Sequence, residues 1–369
     1  MSAFSFHQVG IPCTLMRGGT SKAAFFDAAD LPPPGAERDT LLLAAMGHPD
    51  ARQIDGIGGG TPLTTKLAIV SPSKYSNNDV DYLFGQVVAA ESRIDYTPTC
   101  GNVLAAVGPY AIEKGWVAAS GDETPVRIFM ANTRARCTAT VTTSAGAVMY
   151  AGAARICGVP GTAAPIFLHF ADILGSSCGS LFPTGRHRDR ILETDVTCID
   201  HGMPVVLILA SDCGISGYET PAELDANATL KSRIEAIRII AGKRMGLGDV
   251  SNKVIPKVTL VAPPCEGGMC STRTFIPRKC HTAIGVLGAV SVATSALFPD
   301  TVTRTFCVVP SKEVTDLAIE HPTGDFGVRL FRDGASGELT GAALMRTARA
   351  LFHGQVLVPR NSLPNTLHS

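Results

Sequence analysis

Two helices of small apolar residues, 180 positions apart, constrain the fold of this chain more than any other feature. The first is predicted to begin at Cys100 and the second at Cys280, and each continues through Gly, Ala, Val and Leu. A helix that is apolar on every face must be enclosed by other structure. We therefore predict that each is the central helix of its own β-rich half, and that the spacing reflects a weak internal duplication.

Short β-branched runs alternate with glycine-rich or proline-rich turns over most of the remaining chain, a pattern that favours mixed sheets with isolated helices. The predicted strands include residues 67–70, 126–130, 204–209, 258–261 and 305–309. The predicted helices cover residues 39–46, 102–114, 230–245, 282–297 and 339–350. A polar, basic stretch over 183–190 suggests domains of 1–185 and 186–369, with the return of the last strand to the first domain left open.

The charge balance excludes several classes of partner. Lysine plus arginine equal aspartate plus glutamate at 32 each, so no overall field favours nucleic acid or an anionic membrane surface. The longest weakly polar stretch, 282–298, is short for a membrane span. With 369 residues and 45% hydrophobic composition, the chain can bury a large core, and a small molecule is the expected ligand.

The eleven cysteines are interpreted as reduced thiols in the cytoplasm, because the first residues lack the basic start and long apolar stretch of a secretory signal. Their scattered spacing gives no Cys-x-x-Cys pair. Cys265, Cys270, Cys280 and His281 come nearest to a metal-binding group, but their irregular gaps match no common zinc pattern. No metal site is predicted.

Cys100 and Lys66 are the candidates for acid–base chemistry. Cys100 follows Pro98 and Thr99 at a predicted helix start, where free backbone N–H groups stabilise a thiolate; the structural alternative is a buried thiol acting as a small hydrophobe. Lys66 enters the apolar run 67–70, where partial burial lowers the pKa of an amine and makes it available as a base. A solvated lysine at a strand end is its alternative.

Three further segments offer groups that bind carboxylates. The segment 16–22 combines Arg17, Ser21 and Lys22 with paired glycines, and its structural alternative is an ordinary turn. The loop with Gly58, Gly59 and Gly60 fails both the phosphate-loop and the dinucleotide signatures, so no nucleotide cofactor follows from it. The segment 277–281 brings Arg278 and His281 before the second helix, where His281 is equally well explained as a capping or packed residue.

Taken together, these segments resemble the PrpF-like isomerases of the diaminopimelate-epimerase-like fold. The resemblance spans nearly the full chain and rests on 16–22, the glycine loop ending in Thr65 and Lys66, the Cys100 helix start, 200–206 and 216–224. It implies an α/β (α+β) fold of two similar halves, each a β-sheet curled around one helix, with the active site in the cleft between them. It also implies cofactor-free proton transfer on an unsaturated polycarboxylate.

By that resemblance, the family lysine corresponds to Lys66 and the first cysteine to Cys100. The second half departs from the epimerase pattern, since 283–285 stands where those enzymes have a Cys-Gly-Thr-Gly start, and a role for Cys280 is left open. The leading expectation is a 1,3-allylic isomerase of a keto-tricarboxylate such as 4-oxalomesaconate. Lys66 is expected to remove a proton and Cys100 to return one, while Gly58, Gly59, Gly60 and Asn102 stabilise the dienolate.

Arg17, Ser21, Lys22, Arg278 and His281 are the expected carboxylate clamps. The alternatives are an isomerase of the 2-methylaconitate or aconitate type, a non-catalytic polycarboxylate-binding protein, and a thiol hydrolase built on Cys100. A homodimer is left open as the assembly.

Overall fold

The computed structural model describes residues 7–88, 92–170, 173–307 and 312–360. The chain divides into two compact units. The first comprises Met1–Arg155, Val159–His169 and Arg346–Ser369, and the second comprises Ile156–Gly158 and Phe170–Met345, as far as the described residues reach. Among these residues, none of the helices is both long enough and apolar enough to cross a bilayer.

The first unit is a mixed sheet with three helices. Its strands are β1 (Gln8–Gly18), β2 (Ser21–Asp27), β3 (Lys66–Pro72), β4 (Val80–Val88), β5 (Arg93–Asp95), β6 (Glu123–Met130), β7 (Ala135–Ser144), β8 (Ala147–Val148), most of β9 (Ile166–Phe170) and β18 (Ala348–Pro359). Its helices are α1 (Ala36–Ala45), α2 (Gly101–Leu104) and α3 (Val107–Glu113), with a 3₁₀ turn at Ala28–Asp30.

Strand pairing in this unit alternates in direction. β1 pairs antiparallel with β2 and β18, β2 pairs parallel with β3, and β3 pairs antiparallel with β4. β4 then pairs parallel with β6, which pairs antiparallel with β7. The parallel steps require crossovers, and α1 lies in the connection from β2 to β3 while α2 and α3 lie in that from β4 to β6.

The second unit has its own mixed sheet and helices. Its strands are β10 (Asp189–Ile191), β11 (Thr194–Asp200), β12 (Pro204–Leu209), β13 (Lys257–Ala262), β14 (Cys270–Phe275), β15 (Val314–His321), β16 (Gly324–Arg332) and β17 (Leu339–Arg346) except for its last residue, Arg346, which belongs to the first unit. Its helices are α4 (Pro221–Ala226), α5 (Ala228–Arg244) and α6 (Val286–Ser295), with 3₁₀ turns at Ala210–Cys213 and Val302–Thr305.

The second unit repeats the pairing order of the first. β11 pairs antiparallel with β12, β12 parallel with β13, β13 antiparallel with β14, β14 parallel with β15, and β15 antiparallel with β16. Here α4 and α5 lie in the first crossover and α6 in the second. The repeated order supports the internal duplication that the two apolar helices suggest.

Each unit encloses one helix, as predicted. Residues 107–112 of α3 are all buried, and α6 is buried from Gly288 to Ser295. A second helix in each unit contributes apolar side chains to a buried cluster with the sheet: Leu42 of α1 shares a cluster with Phe26 and Leu67, and Ile237 of α5 shares one with Leu260. The predicted α+β fold with two similar halves, each holding a central helix, is thus confirmed.

Four predictions of secondary structure were wrong in part or in full. The 102–114 helix is broken into α2 and α3, and the 282–297 helix begins only at Val286, after Gly285 in an extended conformation. Residues 339–350 form β17 and the start of β18, because pairing with β16 and β1 outweighs the helix propensity of Ala, Leu and Met. Thr305 ends a 3₁₀ turn, and residues 308–309 of that predicted strand lie outside the described residues.

Candidate active site

Lys66 is the first residue of β3 and is only 8% exposed. Its Nζ donates a hydrogen bond of 2.6 Å to Oε1 of Gln86, the residue directly opposite on β4. The same Nζ lies 5.2 Å from the centroid of the Phe84 ring. Burial lowers the pKa of Lys66, and the nearby charge of Cys100 partly opposes that shift. The amine is therefore more readily deprotonated than a lysine in water.

Cys100 is the N-cap residue of α2, with an extended backbone, and its carbonyl accepts a 2.9 Å hydrogen bond from the Leu104 N–H. The thiol is free and partly exposed. The prediction of a helix starting after this cysteine is confirmed, although α2 has one turn only, so a long helix dipole does not act on the sulfur. What surrounds the thiol matters more than the helix that follows it.

The surroundings of the thiol are identified by the residues whose pKa values depend on the charge of Cys100. Burial lowers the pKa of Arg346 to about 10, and the charge of Cys100 opposes the shift. Burial also raises the pKa of Tyr82, with Cys100 adding to the rise. Lys66, Arg346 and Tyr82 are thus the buried groups whose pKa values respond to this thiol. They bring an amine, a guanidinium and a phenol from three strands into electrostatic interaction with the sulfur that precedes α2.

The β1–β2 hairpin lies against the residue after the Cys100–Gly101 step. A Cβ atom on Gly18 would collide with the Asn102 carbonyl, and one on Gly19, where φ is +51°, would collide with the Asn102 side chain. Asn102 Nδ2 donates to Thr20 Oγ1 at 3.0 Å. The paired glycines are therefore required for close backbone approach, which brings the hairpin turn to the start of α2.

Arg17 holds the same hairpin from the other side. Its Nη1 donates to the Gly19 carbonyl at 3.0 Å and to the carbonyl and hydroxyl of Thr347 at 3.1 and 2.9 Å. Burial, followed by the charge of Arg349, lowers its pKa. The Nη1 nitrogen of the guanidinium thus already has hydrogen-bond partners within the protein. Binding of a substrate carboxylate by Arg17 stays a prediction.

Ser21 and Lys22 begin β2. Ser21 is 2% exposed, and within the described part of the chain its buried Oγ has no hydrogen-bond partner. The Lys22 backbone N–H donates to the Leu63 carbonyl at 2.9 Å, which attaches the hairpin to the glycine loop. A buried hydroxyl with unused hydrogen-bonding capacity is what a site for a polar ligand needs, so Ser21 is the better supported of the two binding predictions.

The glycine loop is folded onto its own side chains. The Gly60 N–H donates to Oε1 of the buried Gln53 at 2.9 Å. A Cβ on Gly58 would collide with Gln53, and one on Gly59 with Thr64. These glycines therefore permit the loop that leads into Lys66, and the Gly60 N–H is already satisfied. Their role as donors to a substrate stays a prediction.

The two predicted clamps of the second unit are bound within that unit. The Arg278 guanidinium donates to Glu235 Oε1 at 3.1 and 3.2 Å and to the Ser251 carbonyl at 3.2 Å. His281 Nδ1 accepts a 2.8 Å hydrogen bond from the Ala283 N–H, so the neutral ring carries its proton on Nε2. Burial, then the charge of Lys257, lowers the pKa of His281. Substrate binding by either residue stays a prediction.

Cys280 has a different environment from Cys100. It is 4% exposed, its N–H donates to Asp225 at 2.7 Å, and its thiol contacts the His281 carbonyl at 3.7 Å. Burial, then the charge of Asp225, raises its pKa to about 11. A thiol held in this way is poorly suited to exchange protons near neutral pH.

Sequence reasoning missed Gln86, Arg346 and Thr347. Gln86 could have been noticed in the sequence, because it is a polar residue at the next alternate position of β4 after the buried Val80, Tyr82 and Phe84. Arg346 and Thr347 fell within the segment mistaken for a helix, so their approach to Cys100 and Arg17 was hidden. The assembled site offers a buried amine, a partly exposed thiol and buried cations, a set that suits proton transfer on an anionic molecule.

Comparison with known proteins gives consistent results. The model of the PrpF protein family matches residues 8–359. A 4-oxalomesaconate tautomerase of Pseudomonas putida is 53% identical over 96% of this chain and 98% of its own length. A (4E)-oxalomesaconate Delta-isomerase of Novosphingobium sp. (strain KA1) is 54% identical over 94% and 97%. The crystal structure of a methylitaconate-delta-isomerase has a TM-score of 0.87 and 32% identity, and covers 97% of this chain and 98% of its own.

Proposed function

This chain belongs to the PrpF family, and on that basis we propose that it is a cofactor-independent 1,3-allylic isomerase of 4-oxalomesaconate. The reaction moves the carbon–carbon double bond by proton transfer and gives 2-keto-4-carboxy-3-hexenedioate. The observation that carries the proposal is the buried Lys66 amine beside the Cys100 thiol, in a chain that shares over half its residues with two relatives named for this substrate.

Lys66 is the proposed base. The ketone and the conjugated alkene acidify a C–H of the substrate, and the uncharged amine takes that proton and becomes an ammonium group. The electron pair of the broken C–H bond spreads over the conjugated system as a dienolate. Burial, which lowers the pKa of Lys66, increases the fraction of uncharged amine near neutral pH.

Cys100 is the proposed proton donor. Its thiol protonates the dienolate two carbons away, so the double bond moves by one position and a thiolate remains. The enzyme then holds one ammonium and one thiolate, and a proton passes from Lys66 to Cys100 through solvent to restore the starting state. No external oxidant, reductant or metal enters this balance.

The dienolate carries more delocalised charge than the starting acid, so groups that meet it with positive charge lower the barrier. Arg346 is the best placed of these, because it is buried and its pKa responds to Cys100. The free hydroxyl of Ser21 and the Arg17 guanidinium are the proposed contacts for substrate carboxylates. Lys22, Asn102, Arg278 and His281 complete the proposed binding set.

The experiment that tests this function is proton NMR of 4-oxalomesaconate with purified protein in D₂O. We expect a new alkene signal together with solvent deuterium in the product. Saturable binding without deuterium incorporation would identify a polycarboxylate-binding protein instead. Turnover of 2-methylaconitate or aconitate, with none of 4-oxalomesaconate, would assign the alternative isomerase, and covalent mass on Cys100 during turnover would indicate a hydrolase.

The proposed setting is the cytoplasm, in the breakdown of lignin-derived aromatic acids through 4,5-cleavage of protocatechuate. All eleven cysteines are free thiols, which fits a reducing compartment. A strain lacking this gene is expected to accumulate 4-oxalomesaconate when grown on protocatechuate, which mass spectrometry of the culture detects.

A further inference from the structure

Gln86 connects the proposed base to the loop that leads into it. Its Oε1 accepts the 2.6 Å hydrogen bond from Lys66 Nζ. Its Nε2 donates to the Thr65 carbonyl at 3.0 Å and to the Thr65 hydroxyl at 2.9 Å. Thr65 is itself 5% exposed, and its carbonyl also accepts from the Val87 N–H at 3.0 Å. The amide is therefore held at both ends inside the protein.

The partners also determine which way the amide points. A backbone carbonyl only accepts hydrogen bonds, so the NH₂ end must face Thr65. The oxygen must then face Lys66, which has N–H groups to donate in both of its protonation states. Rotation of the amide by 180° would place two carbonyl oxygens together at Thr65 and, when Lys66 is an ammonium group, two donors together at Nζ. Cross-strand pairing of β3 and β4 keeps the two Cα atoms opposite each other.

Resting on the proposed role of Lys66 as base, we propose that Gln86 is its positioning residue: Oε1 holds one N–H of the amine and thereby turns the lone pair toward the substrate carbon. An uncharged amine has two N–H bonds and one lone pair, so fixing one N–H restricts where the lone pair points. The amine gains positive charge as it takes the proton, and the hydrogen bond to Oε1 strengthens at that point. The contact therefore stabilises the transition state more than the ground state.

Other charged and titratable groups adjoin this pair. Cys100 raises the pKa of Lys66 against the effect of burial, while Arg346 and Tyr82 respond to the same thiol. Asp95 lies opposite Gln86 on β5, but its Oδ1 accepts hydrogen bonds from Thr97 at 2.9 and 2.7 Å. Gln86 differs from all of these groups in two ways. It is uncharged, and its hydrogen bond to the amine has a fixed direction.

Two variants separate positioning from a merely structural role. In Gln86→Met the side chain keeps its length but loses its hydrogen bonds to Lys66 and Thr65, so the ammonium form loses an acceptor and the titration of Lys66 moves to lower pH. In Gln86→Glu a carboxylate faces the amine, so the titration moves to higher pH. We expect kcat to fall roughly tenfold in Gln86→Met with KM little changed, the loss of one charge-assisted hydrogen bond.

The titration is measured without substrate, by following acetylation of Lys66 against pH with a small anhydride and peptide mass spectrometry. The same variants are then assayed for kcat and KM with 4-oxalomesaconate. Gln355→Met and Gln355→Glu are the matched controls, because Gln355 is an exposed glutamine on β18 of the same unit. Their Lys66 titration and kcat are expected to equal those of the unmodified protein.

Opposite shifts of the Lys66 titration in the two Gln86 variants, with the loss confined to kcat, support the proposal. Unchanged titration, or shifts of the same sign in both variants, overturns it, as does a rise in KM alone. If Gln86→Met does not fold, the Gln86→Glu variant tests the proposal alone: a shift of the Lys66 titration to higher pH supports it, and an unchanged titration overturns it. Absence of turnover by the unmodified protein would remove the proposed function, and the acetylation curve would still show whether Gln86 controls the amine.

Discussion

The two units repeat one pairing order but place different chemistry at the same positions. Lys66 opens β3 and Lys257 opens β13, each strand lying between a parallel and an antiparallel neighbour. Cys100 directly precedes its helix, whereas four residues separate Cys280 from Gly285, the N-cap of α6. A bridge from Cys280 to Phe275 holds the second cysteine next to β14. A shift of a few residues thus separates a partly exposed thiol from a structural one.

The partners of the two lysines differ in a way that matters for proton transfer. Lys66 is close to a thiol, which becomes negative when it gives up its proton and so supports a positive amine. Lys257 is close to His281, whose protonated ring would repel a positive amine. Burial lowers the pKa of both lysines. Duplication of a fold therefore does not duplicate a proton-transfer pair unless the partner of the amine can carry the opposite charge.

The largest expected effect comes from the lysines. Lys66→Ala removes the proposed base and is expected to lower kcat by about 10⁴-fold or more, while Lys257→Ala keeps kcat within about tenfold. The measurement is the initial rate of alkene formation, with circular dichroism to confirm folding. Equal losses in both variants would mean that the two units contribute the same chemistry.

The cysteines are expected to differ by a smaller factor. Cys100→Ser replaces the proton donor with a much weaker acid and is expected to lower kcat about 10²-fold. Cys280→Ser is expected to leave kcat unchanged and to lower the free energy of unfolding by about 1 kcal/mol, because a hydroxyl enters an apolar cluster. Rates and urea unfolding of both variants test this. A catalytic loss in folded Cys280→Ser would return the second thiol to the mechanism.

The pH dependence of the rate should follow the first unit. Because burial lowers the pKa of Lys66, kcat/KM should rise with pH along a limb centred below the ordinary lysine value of 10.5. Removing the charge of Cys100, which raises that pKa, should move the limb to lower pH in the residual activity of Cys100→Ser. The rates are measured from pH 5 to 10 at constant ionic strength. A limb at the same pH in Cys100→Ser and in the unmodified protein would show that the thiol does not influence the titration of the amine.

The pH dependence of stability should instead follow the second unit. His201 is fully buried, its Nδ1 lies 2.7 Å from Thr294 Oγ1, and burial lowers its pKa to about 4. A depressed histidine pKa stabilises the fold above the unfolded value of 6.5, and that contribution, about 3 kcal/mol, is lost as pH falls toward 4. Asp200, whose pKa is raised mainly by burial, acts in the opposite direction.

Urea unfolding at pH 7.5 and 5 measures this loss, and His201→Asn is the variant that should flatten it. An equal loss between the two pH values in His201→Asn would assign the acid sensitivity to another group. Thr294→Val, which removes the partner of Nδ1, is the second variant if His201→Asn does not fold.

Local sequence patterns were sufficient to predict much of the secondary structure of this molecule. The strand at Pro204–Leu209, the helix α5 and the enclosed helices were predictable from period and composition, and the motif-based family resemblance supplied the fold. Contacts across strands were not predictable: that Gln86 faces Lys66 depends on the register of β3 and β4, which no single segment encodes. The segment 339–350 shows the same limit, since its propensity favours a helix and only its neighbours make it extended.

The anchoring of the first hairpin by Thr347 has a consequence for biosynthesis. β1 pairs along its whole length with β18, and both the Arg17 guanidinium and the Gly19 N–H bind Thr347. During synthesis β1 can therefore pair early with β2 alone, and it gains its second partner only after residues 348–359 have been translated. Until then the proposed catalytic apparatus is incomplete, so truncated translation products should be inert and should be degraded rather than act on cellular acids.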